Sequence, residues 1–442
     1  SEAEAAAAAR RVAPVANLKH IAPAALVIEA MVEDLAAKKA LFAELESIVA
    51  PEAIIATNTS SFSITALADG LKRPERLAGM HFFNPAPIMA LVEIVRGDAT
   101  APAVAETLFA TATRWGKTPV RARSTPGFIV NRVARPFYAE ALALLEEGAA
   151  DPATVDAVLR DMGGFRMGPF ELMDLIGHDV NFAVTRAVFE GFGRDPRFAP
   201  SRAQRDLVAA GRLGRKSGRG FYDYNSEAPP PAPRILPPDP VPARVVIEGD
   251  LGPAESFAAA IVAAKIPCVR KAGDGEGRIV VNGAVLMLTD GRTAARRIAE
   301  GAPRELVLFD LALDYGRAPR IALAMGDKTP PSALAVAAGL VQALGKAASP
   351  LADTAGLVVL RTVARLVNEA ADAVELGTAE AADVDTAMRA GANYPMGPLA
   401  WGEVLGPQRV VAALEFLAAV YGAGRYRPSA FLRRAAAAGK SP

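Results

Sequence analysis

Short apolar runs alternate with amphipathic stretches over the first third of the chain. Apolar residues fill positions 25–28, 54–57 and 91–95 almost completely, and each run has the length of a buried strand. Between the first two runs, residues 35–48 place apolar side chains at helical spacing with charges on one face. Strands that alternate with helices predict βα units around a mostly parallel sheet.

The pattern becomes helical after residue 126. Residues 129–147 predict one long amphipathic helix that Gly148 ends, and Asp151 with Pro152 predicts the start of the next. Helical spacing continues to residue 210, which predicts an all-α domain. Eight of the sixteen residues at 227–242 are proline, so this segment is expected to be a stiff linker.

The second half of the sequence repeats the first at a shift of 229 positions, which is the distance from Thr125 to Thr354. The shift needs no gap and aligns the Met-Gly-Pro triplets at 167–169 and 396–398. An ungapped match of this extent indicates a tandem duplication. Further aligned pairs are Gly127 and Gly356, Arg132 and Arg361, Glu140 and Glu369, Gly148 and Gly377, and Asp156 and Asp385.

Polar residues suited to chemistry occur only in the first copy. His81 lies on a predicted turn between apolar runs, and Glu93 follows twelve positions later in a strand-like segment. An imidazole held by a carboxylate can take a proton near neutral pH, as the oxidation of a hydroxyl group requires. The spacing alone would also fit a structural role, in which His81 caps the end of a strand and takes no part in catalysis. The shift replaces His81 by Asp310, Asn84 by Leu313, Glu93 by Ala322 and Asn131 by Leu360, which favours chemistry in the first copy and predicts a second copy without an active site.

Composition narrows the class of protein. The 442 residues are 51% apolar and 22% charged, as in soluble globular proteins, and their number favours two to four domains. A net charge of +1 gives no reason to expect nucleic acid or a membrane surface as a partner. The single cysteine, Cys268, excludes internal disulfides and cysteine-rich metal sites, and it fits a cytoplasmic location. No signal peptide, membrane span or metal site is predicted, and His20 and His178 show no partner pattern.

Six motifs give the chain a resemblance to a known family. They follow one another in family order from about residue 26 to residue 224 and resemble the L-3-hydroxyacyl-CoA dehydrogenases. The tandem second half is similar to the long bacterial members, which include enzymes for 3-hydroxybutyryl-CoA and 3-hydroxyadipyl-CoA. The motifs are ATNTSS at 56–61, HFFNP at 81–85, LVE at 91–93, TPGFIVNR at 125–132, MGPFEL at 167–172, and LGRK at 213–216 continuing to GFY at 220–222.

The resemblance implies NAD-dependent oxidation of (S)-3-hydroxyacyl-CoA to 3-oxoacyl-CoA, in fatty-acid or phenylacetate-type catabolism. It makes His81 the general base and Glu93 its support, and it gives Asn131 and Ser60 the substrate oxygens. It also implies an acyl-CoA partner and a helical domain that forms either a homodimer or an internal pseudo-dimer with the second copy. The residues that match family contacts to NAD are Glu33, Lys38, Asn84 and Lys216.

One family feature has no counterpart in this sequence. Such domains open with a glycine-rich turn after the first strand, and an acidic residue about 20 positions later binds the ribose. The first glycine here is Gly70, so roughly one βαβ unit at the N-terminal front is expected to be missing. A non-catalytic acyl-CoA-binding or scaffold protein that has lost its cofactor front is therefore an alternative. A sugar-nucleotide or 6-phosphogluconate-type dehydrogenase is another, which the run from His81 to Pro87 disfavours.

The predicted architecture is an α/β Rossmann-like domain without its N-terminal front, an all-α 3-hydroxyacyl-CoA dehydrogenase C-terminal domain, and a degenerate second copy of both. The predicted boundaries are 1–122 for the partial NAD-binding domain, 123–225 for the helical substrate and dimerisation domain, 226–243 for the linker, 244–350 for the degenerate Rossmann-like domain and 351–442 for the second helical domain.

Overall fold

The computed structural model describes residues 2–439, and the chain forms two compact units, Ser1–Phe128 and Ile129–Pro442. The first unit contains the first α/β segment. The second unit contains the helical segment that follows and the whole second half of the chain.

A five-stranded sheet of order β1-β2-β3-β4-β5 organises the first unit. Neighbouring strands are parallel except for β3 and β4, which are antiparallel. Alternate residues of β2, β3 and β4 pack against one side of helix α4, so strand and helix periodicities meet in one core. The elements are α1 Glu2–Ala9, β1 Leu26–Glu29, α2 Leu35–Ile48, β2 Ile54–Thr57, α3 Ile64–Ala68, β3 Leu77–Phe82, β4 Leu91–Arg96, α4 Pro102–Arg114 and β5 Thr118–Arg123.

Helices α5–α10 follow as the helical segment at the start of the second unit. The helix that the sequence predicts at 129–147 is wrong as a single helix, because the chain forms α5 and α6 with a break at Ala134. Pro136 has no N–H to donate to the carbonyl of Arg132, so the helical ladder is interrupted there. The elements are α5 Val130–Val133, α6 Arg135–Glu146, α7 Pro152–Asp161, α8 Pro169–Ile176, α9 His178–Gly191 and α10 Arg202–Ala209.

The rest of the second unit contains a seven-stranded sheet of order β12-β11-β10-β9-β8-β6-β7 and a second set of helices. The strands are β6 Val245–Asp250, β7 Cys268–Glu276, β8 Arg278–Val281, β9 Ala284–Leu288, β10 Leu306–Phe309, β11 Arg320–Met325 and β12 Ala347–Leu351. The helices are α11 Glu255–Ala263, α12 Ala294–Ala299, α13 Pro331–Ala343, α14 Val359–Glu375, α15 Ala381–Ala392, α16 Pro398–Leu405, α17 Pro407–Tyr421, α18 Ala423–Tyr426 and α19 Ala430–Ala438.

The elements of the two halves correspond at the shift of 229 positions. Strand β4 corresponds to β11 and helix α8 to α16, residue for residue at both ends. Each sheet pairs the corresponding strands antiparallel, and the partners Met80 and Ile94 recur as Phe309 and Leu323. The alignment of the two halves at this shift is therefore still correct at Met80, the residue next to His81.

Buried ion pairs join the two helical segments inside the second unit. Arg132 Nε lies 2.7 Å from Glu369 Oε1, and Arg361 Nε lies 2.8 Å from Glu140 Oε2. All four side chains are at most 1% exposed. The shift converts one pair into the other, so the two contacts are related as in a two-fold symmetric interface.

No single helix within residues 2–439 is long and apolar enough to cross a membrane. Helices α16 and α17, which meet at an angle of 98°, pass the same test of length and composition only as a pair.

Candidate active site

Strands β3 and β4 bring His81 and Glu93 together. The two residues are direct partners in the antiparallel pair, where opposed side chains share one face. His81 Nδ1 lies 2.6 Å from Glu93 Oε2, and the residues are 5% and 0% exposed. The predicted turn at His81 is wrong, because His81 lies within β3. The strand register is what places the acid opposite the imidazole.

The contact to Glu93 determines which ring nitrogen of His81 can act as a base. When Nδ1–H donates to the carboxylate, Nε2 keeps its lone pair. The rings of Phe83 and Phe128 flank the imidazole, with centroids 4.6 and 5.8 Å away. A histidine with one nitrogen fixed and apolar walls beside it is suited to proton transfer from a bound hydroxyl group.

A second polar cluster lies at the carboxyl ends of β1 and β2. Glu29 is the last residue of β1, and its carboxylate accepts hydrogen bonds from Lys38 Nζ at 2.7 Å and Thr57 Oγ1 at 2.6 Å. Lys38 is 1% exposed and also lies 3.2 Å from Glu33 Oε2. The buried amino group of Lys38 therefore lies between two carboxylates at this edge of the sheet.

Glu33 is held by the loop that follows β2. Its Oε1 accepts hydrogen bonds from Thr59 Oγ1 at 2.5 Å, Ser60 N at 3.1 Å and Ser61 Oγ at 2.9 Å. Burial alone would raise the pKa of Glu33, but the hydrogen bonds from Thr59, Ser61 and Lys38 outweigh it and lower the pKa. Glu33 is therefore ionised at neutral pH, and the backbone of Ser60 is fixed beside it.

Three of the predicted site residues, Asn84, Asn131 and Lys216, are less buried than His81 and Glu93. Asn84 is exposed just beyond β3 in the first unit. Asn131 is half-buried on α5 in the second unit, and its carbonyl accepts a hydrogen bond from Arg135 Nε at 2.8 Å. Lys216 lies within 2.5 Å of Asp179 Oδ1 on α9.

His178, for which the sequence indicates no partner, forms a buried contact with Asp174. Its Nε2 lies 2.7 Å from Asp174 Oδ1, and both side chains are fully buried. Asp174 also accepts the backbone N–H groups of Phe221 and Tyr222, and a Cβ at Gly220 would lie 2.0 Å from its Oδ1. The pair fixes the glycine-rich loop that carries Lys216. Asp174 belongs to α8 and His178 to α9, so the turn at Gly177 brings the pair together and helical spacing does not predict the contact.

The position of His81 has a structural occupant in the second half. Asp310 is fully buried, and its carboxylate accepts the N–H groups of Val358, Val359 and Leu360 at the start of α14. Burial raises the pKa of Asp310 to about 6, although these hydrogen bonds oppose the rise. The carboxylate of Asp310 therefore caps the N-terminus of α14.

Three family profiles match the chain. The NAD-binding domain of 3-hydroxyacyl-CoA dehydrogenase matches residues 1–125, and the C-terminal domain of the same family matches twice, at 127–224 and at 356–442. The reduced Rossmann-fold domain of 3-hydroxybutyryl-CoA dehydrogenase matches residues 286–354.

Named relatives extend these matches over nearly the whole chain. The 3-hydroxyadipyl-CoA dehydrogenase of Escherichia coli K12 is 47% identical over 97% of this chain and 84% of its own length. The mitochondrial hydroxyacyl-coenzyme A dehydrogenase of Sus scrofa is 43% identical over 45% of this chain and 63% of its own length. The crystal structure of the 3-hydroxybutyryl-CoA dehydrogenase of Escherichia coli K12 superimposes with a TM-score of 0.87 at 45% identity, covering 97% of this chain and 85% of that one.

Proposed function

Because the chain belongs to the 3-hydroxyacyl-CoA dehydrogenase family, we propose that it oxidises (S)-3-hydroxyacyl-CoA to 3-oxoacyl-CoA with His81 as the general base. The chain is an NAD-dependent oxidoreductase. The observation that carries the proposal is the buried contact of 2.6 Å between His81 and Glu93. Catabolism of fatty acids or of aromatic acids such as phenylacetate is the proposed setting.

Proton removal falls to His81. Its Nε2 takes the proton of the 3-hydroxyl group as the C3–O bond becomes a carbonyl, and the carboxylate of Glu93 stabilises the imidazolium that forms. NAD, when bound, supplies the acceptor for the hydride that leaves C3. Asn131 and Ser60 are the proposed neutral donors to the substrate oxygens.

Glu33, Lys38, Asn84 and Lys216 are the proposed contacts to NAD. Glu33 and Lys38 fit a polar cofactor, because they form an ion pair beside the carboxyl ends of parallel strands, where open α/β sheets bind nucleotides. No glycine precedes Gly70, so the residues present do not supply a glycine-rich turn for the pyrophosphate.

The proposed role of His81 is tested by substitution. His81→Gln removes the base while keeping a polar side chain, so we expect NADH oxidation with acetoacetyl-CoA to fall by about 100- to 10,000-fold. His20→Gln is the matched control, since His20 is exposed on a short helical turn at residues 18–21, and this variant should retain full activity. Equal activity of both variants would rule out His81 as the base, and an inactive wild type would contradict the proposed reaction.

We further propose that the second half is a degenerate duplicate which takes the place of a second subunit, so that the helical segments form an internal pseudo-dimer. The corresponding elements, the repeated C-terminal match and the paired contacts of Arg132 with Glu369 and Arg361 with Glu140 support it. Asp310 as a helix cap accounts for the loss of chemistry in the second copy. The five-domain division predicted from the sequence accompanies this proposal.

A further inference from the structure

One lysine binds the backbone of the segment that joins β3 to β4, residues 83–90. Lys117, which directly precedes β5, donates three hydrogen bonds from Nζ. The acceptors are the carbonyls of Ala86 at 2.6 Å, Pro87 at 3.4 Å and Met89 at 2.9 Å. An ammonium has three N–H groups on a flexible stem, so it is suited to bind several carbonyls at once. The lysine therefore fixes the main chain of the β3–β4 segment.

The side chains of the β3–β4 segment contribute little to holding it in place. None of its eight residues is buried, and Ile88 is 79% exposed. Burial of apolar side chains is the main favourable contribution to folding, and this segment gains little from it. Its conformation therefore depends on backbone contacts, and those with Lys117 are among them.

The β3–β4 segment carries a residue that is proposed to contact NAD. Asn84 is its second residue, and Ala86, whose carbonyl is bound by the lysine, follows two positions later. A shift of the main chain at Ala86 therefore moves Asn84 as well. The contact between His81 and Glu93 is less dependent on the segment, because the two residues are paired within the strands.

The second half repeats the lysine contact at the shift of 229 positions. Lys346 Nζ donates to the carbonyls of Gly316 at 3.0 Å and Ala318 at 2.6 Å. These two acceptors correspond to Pro87 and Met89. The contact therefore belongs to the fold of both halves, and Lys346 provides an internal reference for a purely structural role.

A buried tyrosine also holds the corresponding segment of the second half. Tyr315, at the position of Ala86, is 0% exposed, and its ring stacks on that of Phe257 with centroids 5.3 Å apart. Its hydroxyl group donates to the carbonyl of Asp310 at 2.7 Å. Alanine provides neither contact, so the β3–β4 segment relies on its lysine more than the corresponding segment relies on Lys346.

We propose that Lys117 is a positioning residue, whose ammonium fixes the β3–β4 segment so that Asn84 is presented to NAD. The inference rests on the proposed function and adds a residue that sequence motifs did not indicate. Lys117 acts through the backbone of the segment. Such support matters because a displacement of about 1 Å at a binding group can lower the rate by about 100-fold.

The substitution Lys117→Met tests the proposal through the cofactor. It removes the three hydrogen bonds and keeps an unbranched side chain, so KM for NADH in the reduction of acetoacetyl-CoA should rise by about 10- to 100-fold. The KM for acetoacetyl-CoA and the pH profile of kcat should stay as in wild type, because His81 and Glu93 remain paired. An enzyme that is only less stable would lose kcat at an unchanged KM. Lys346→Met is the matched control and should retain the kinetics of wild type.

Hydrogen exchange provides a readout without cofactor. The N–H groups of Ile88 and Met89 donate to the carbonyl of Pro85, so their exchange reports whether the segment keeps its turn. In Lys117→Met both amides should exchange faster by about tenfold or more. In Lys346→Met their exchange should be that of wild type.

The outcomes separate the inference from the function beneath it. An unchanged KM for NADH in Lys117→Met would overturn the inference, and equal effects of Lys117→Met and Lys346→Met would do so by showing a purely structural role. Wild type inactive with acetoacetyl-CoA would contradict the proposed function, while hydrogen exchange would still test the contact. If Lys117→Met does not fold, exchange in wild type replaces it. Protected amides of Ile88 and Met89 support the inference, and amides that exchange as in an unstructured peptide overturn it.

Discussion

Glu140 is ionised at neutral pH although its side chain is buried away from solvent. The residue is 0% exposed, and burial alone would raise its pKa, yet Arg425, Arg361 and Arg365 lower the pKa to about 2. Its carboxylate also accepts a hydrogen bond from Tyr426. Removing one member of such a buried network leaves a buried charge with fewer partners. The resulting loss of stability is larger than the net stabilisation that the intact network provides.

The substitution Glu140→Gln tests this arrangement through pH. The folded pKa of about 2 lies below the usual value of 4.5, so ionised Glu140 stabilises the fold above that value, and the stabilisation is lost as pH falls toward 2. We expect the variant to be less stable at pH 7 by about 3–5 kcal/mol. It should also lose less stability than wild type on acidification, as measured by thermal unfolding at a series of pH values.

Glu415→Gln provides the comparison for an exposed pair. Glu415 lies 2.7 Å from Arg433, and both side chains are about half exposed, so its loss should change stability by no more than about 1 kcal/mol. Parallel pH curves for wild type and Glu140→Gln would contradict the role given to the buried carboxylate.

Contacts of single residues differ in how far the sequence predicts them. The resemblance of the whole motif to a family predicts Glu93 as the partner of His81, whereas spacing alone also fits a histidine at the end of a strand. The Asp174–His178 contact does not follow from helical spacing, because a turn separates the two helices that carry these residues. The hydrogen bond from Arg135 to Thr185 is likewise not predicted, because it joins side chains from two separate helices.

At the scale of elements, the same helix-capping contact occurs once in each half of the chain. Asp156 on α7 accepts the N–H groups of Phe170 and Glu171 at the start of α8, and Asp385 accepts those of Leu399 and Ala400 at the start of α16. The side chain that approaches a helix N-terminus in this way leaves room only for glycine in the residue before it. A Cβ at Gly168 or at Gly397 would lie 2.2 Å from the aspartate side chain. This close approach explains why the glycine of the Met-Gly-Pro triplet is present in both halves.

We expect Gly397→Ala to destabilise the protein by about 1–3 kcal/mol or more, because the added Cβ forces Asp385 away from the N-terminus of α16. Chemical denaturation measures the change. Gly424→Ala is the matched control, since its Cβ would meet Pro196 at an ordinary 3.5 Å and alanine favours the helix at that position. A Gly397→Ala variant as stable as this control would show that the cap of α16 contributes little.

The elements that the sequence predicts correctly have strong local patterns. Helix α2 spans Leu35–Ile48 as predicted, with Asp34 as its N-cap, and the strands at 54–57 and 91–96 are present. The predicted continuous helix at 129–147 is wrong because the hydrophobic periodicity runs on through Pro136, which interrupts the backbone hydrogen bonds. The corresponding residue in α14 is Arg365, and that helix is unbroken from Val359 to Glu375. A single proline therefore distinguishes the two halves at the segment that carries Asn131.

For the whole molecule, the proposed pseudo-dimer makes a prediction about concentration. A dimer of separate subunits gains stability as concentration rises, whereas contacts within one chain do not. The melting temperature should therefore stay constant over a roughly hundredfold range of protein concentration in scanning calorimetry. A melting temperature that rises steadily with concentration would mean that assembly between chains stabilises the fold.

The reciprocal contacts of Arg132 with Glu369 and Arg361 with Glu140 have a further consequence. In an assembly of identical subunits, every inherited substitution appears on both sides of the axis and must be tolerated twice. Here each side is encoded separately, so evolution can alter one arginine and leave its counterpart unchanged. The surroundings already differ, since Arg132 also bonds to Asp372 while Arg361 also bonds to Glu147. Selection can therefore act on one half for catalysis and on the other half for structural support alone.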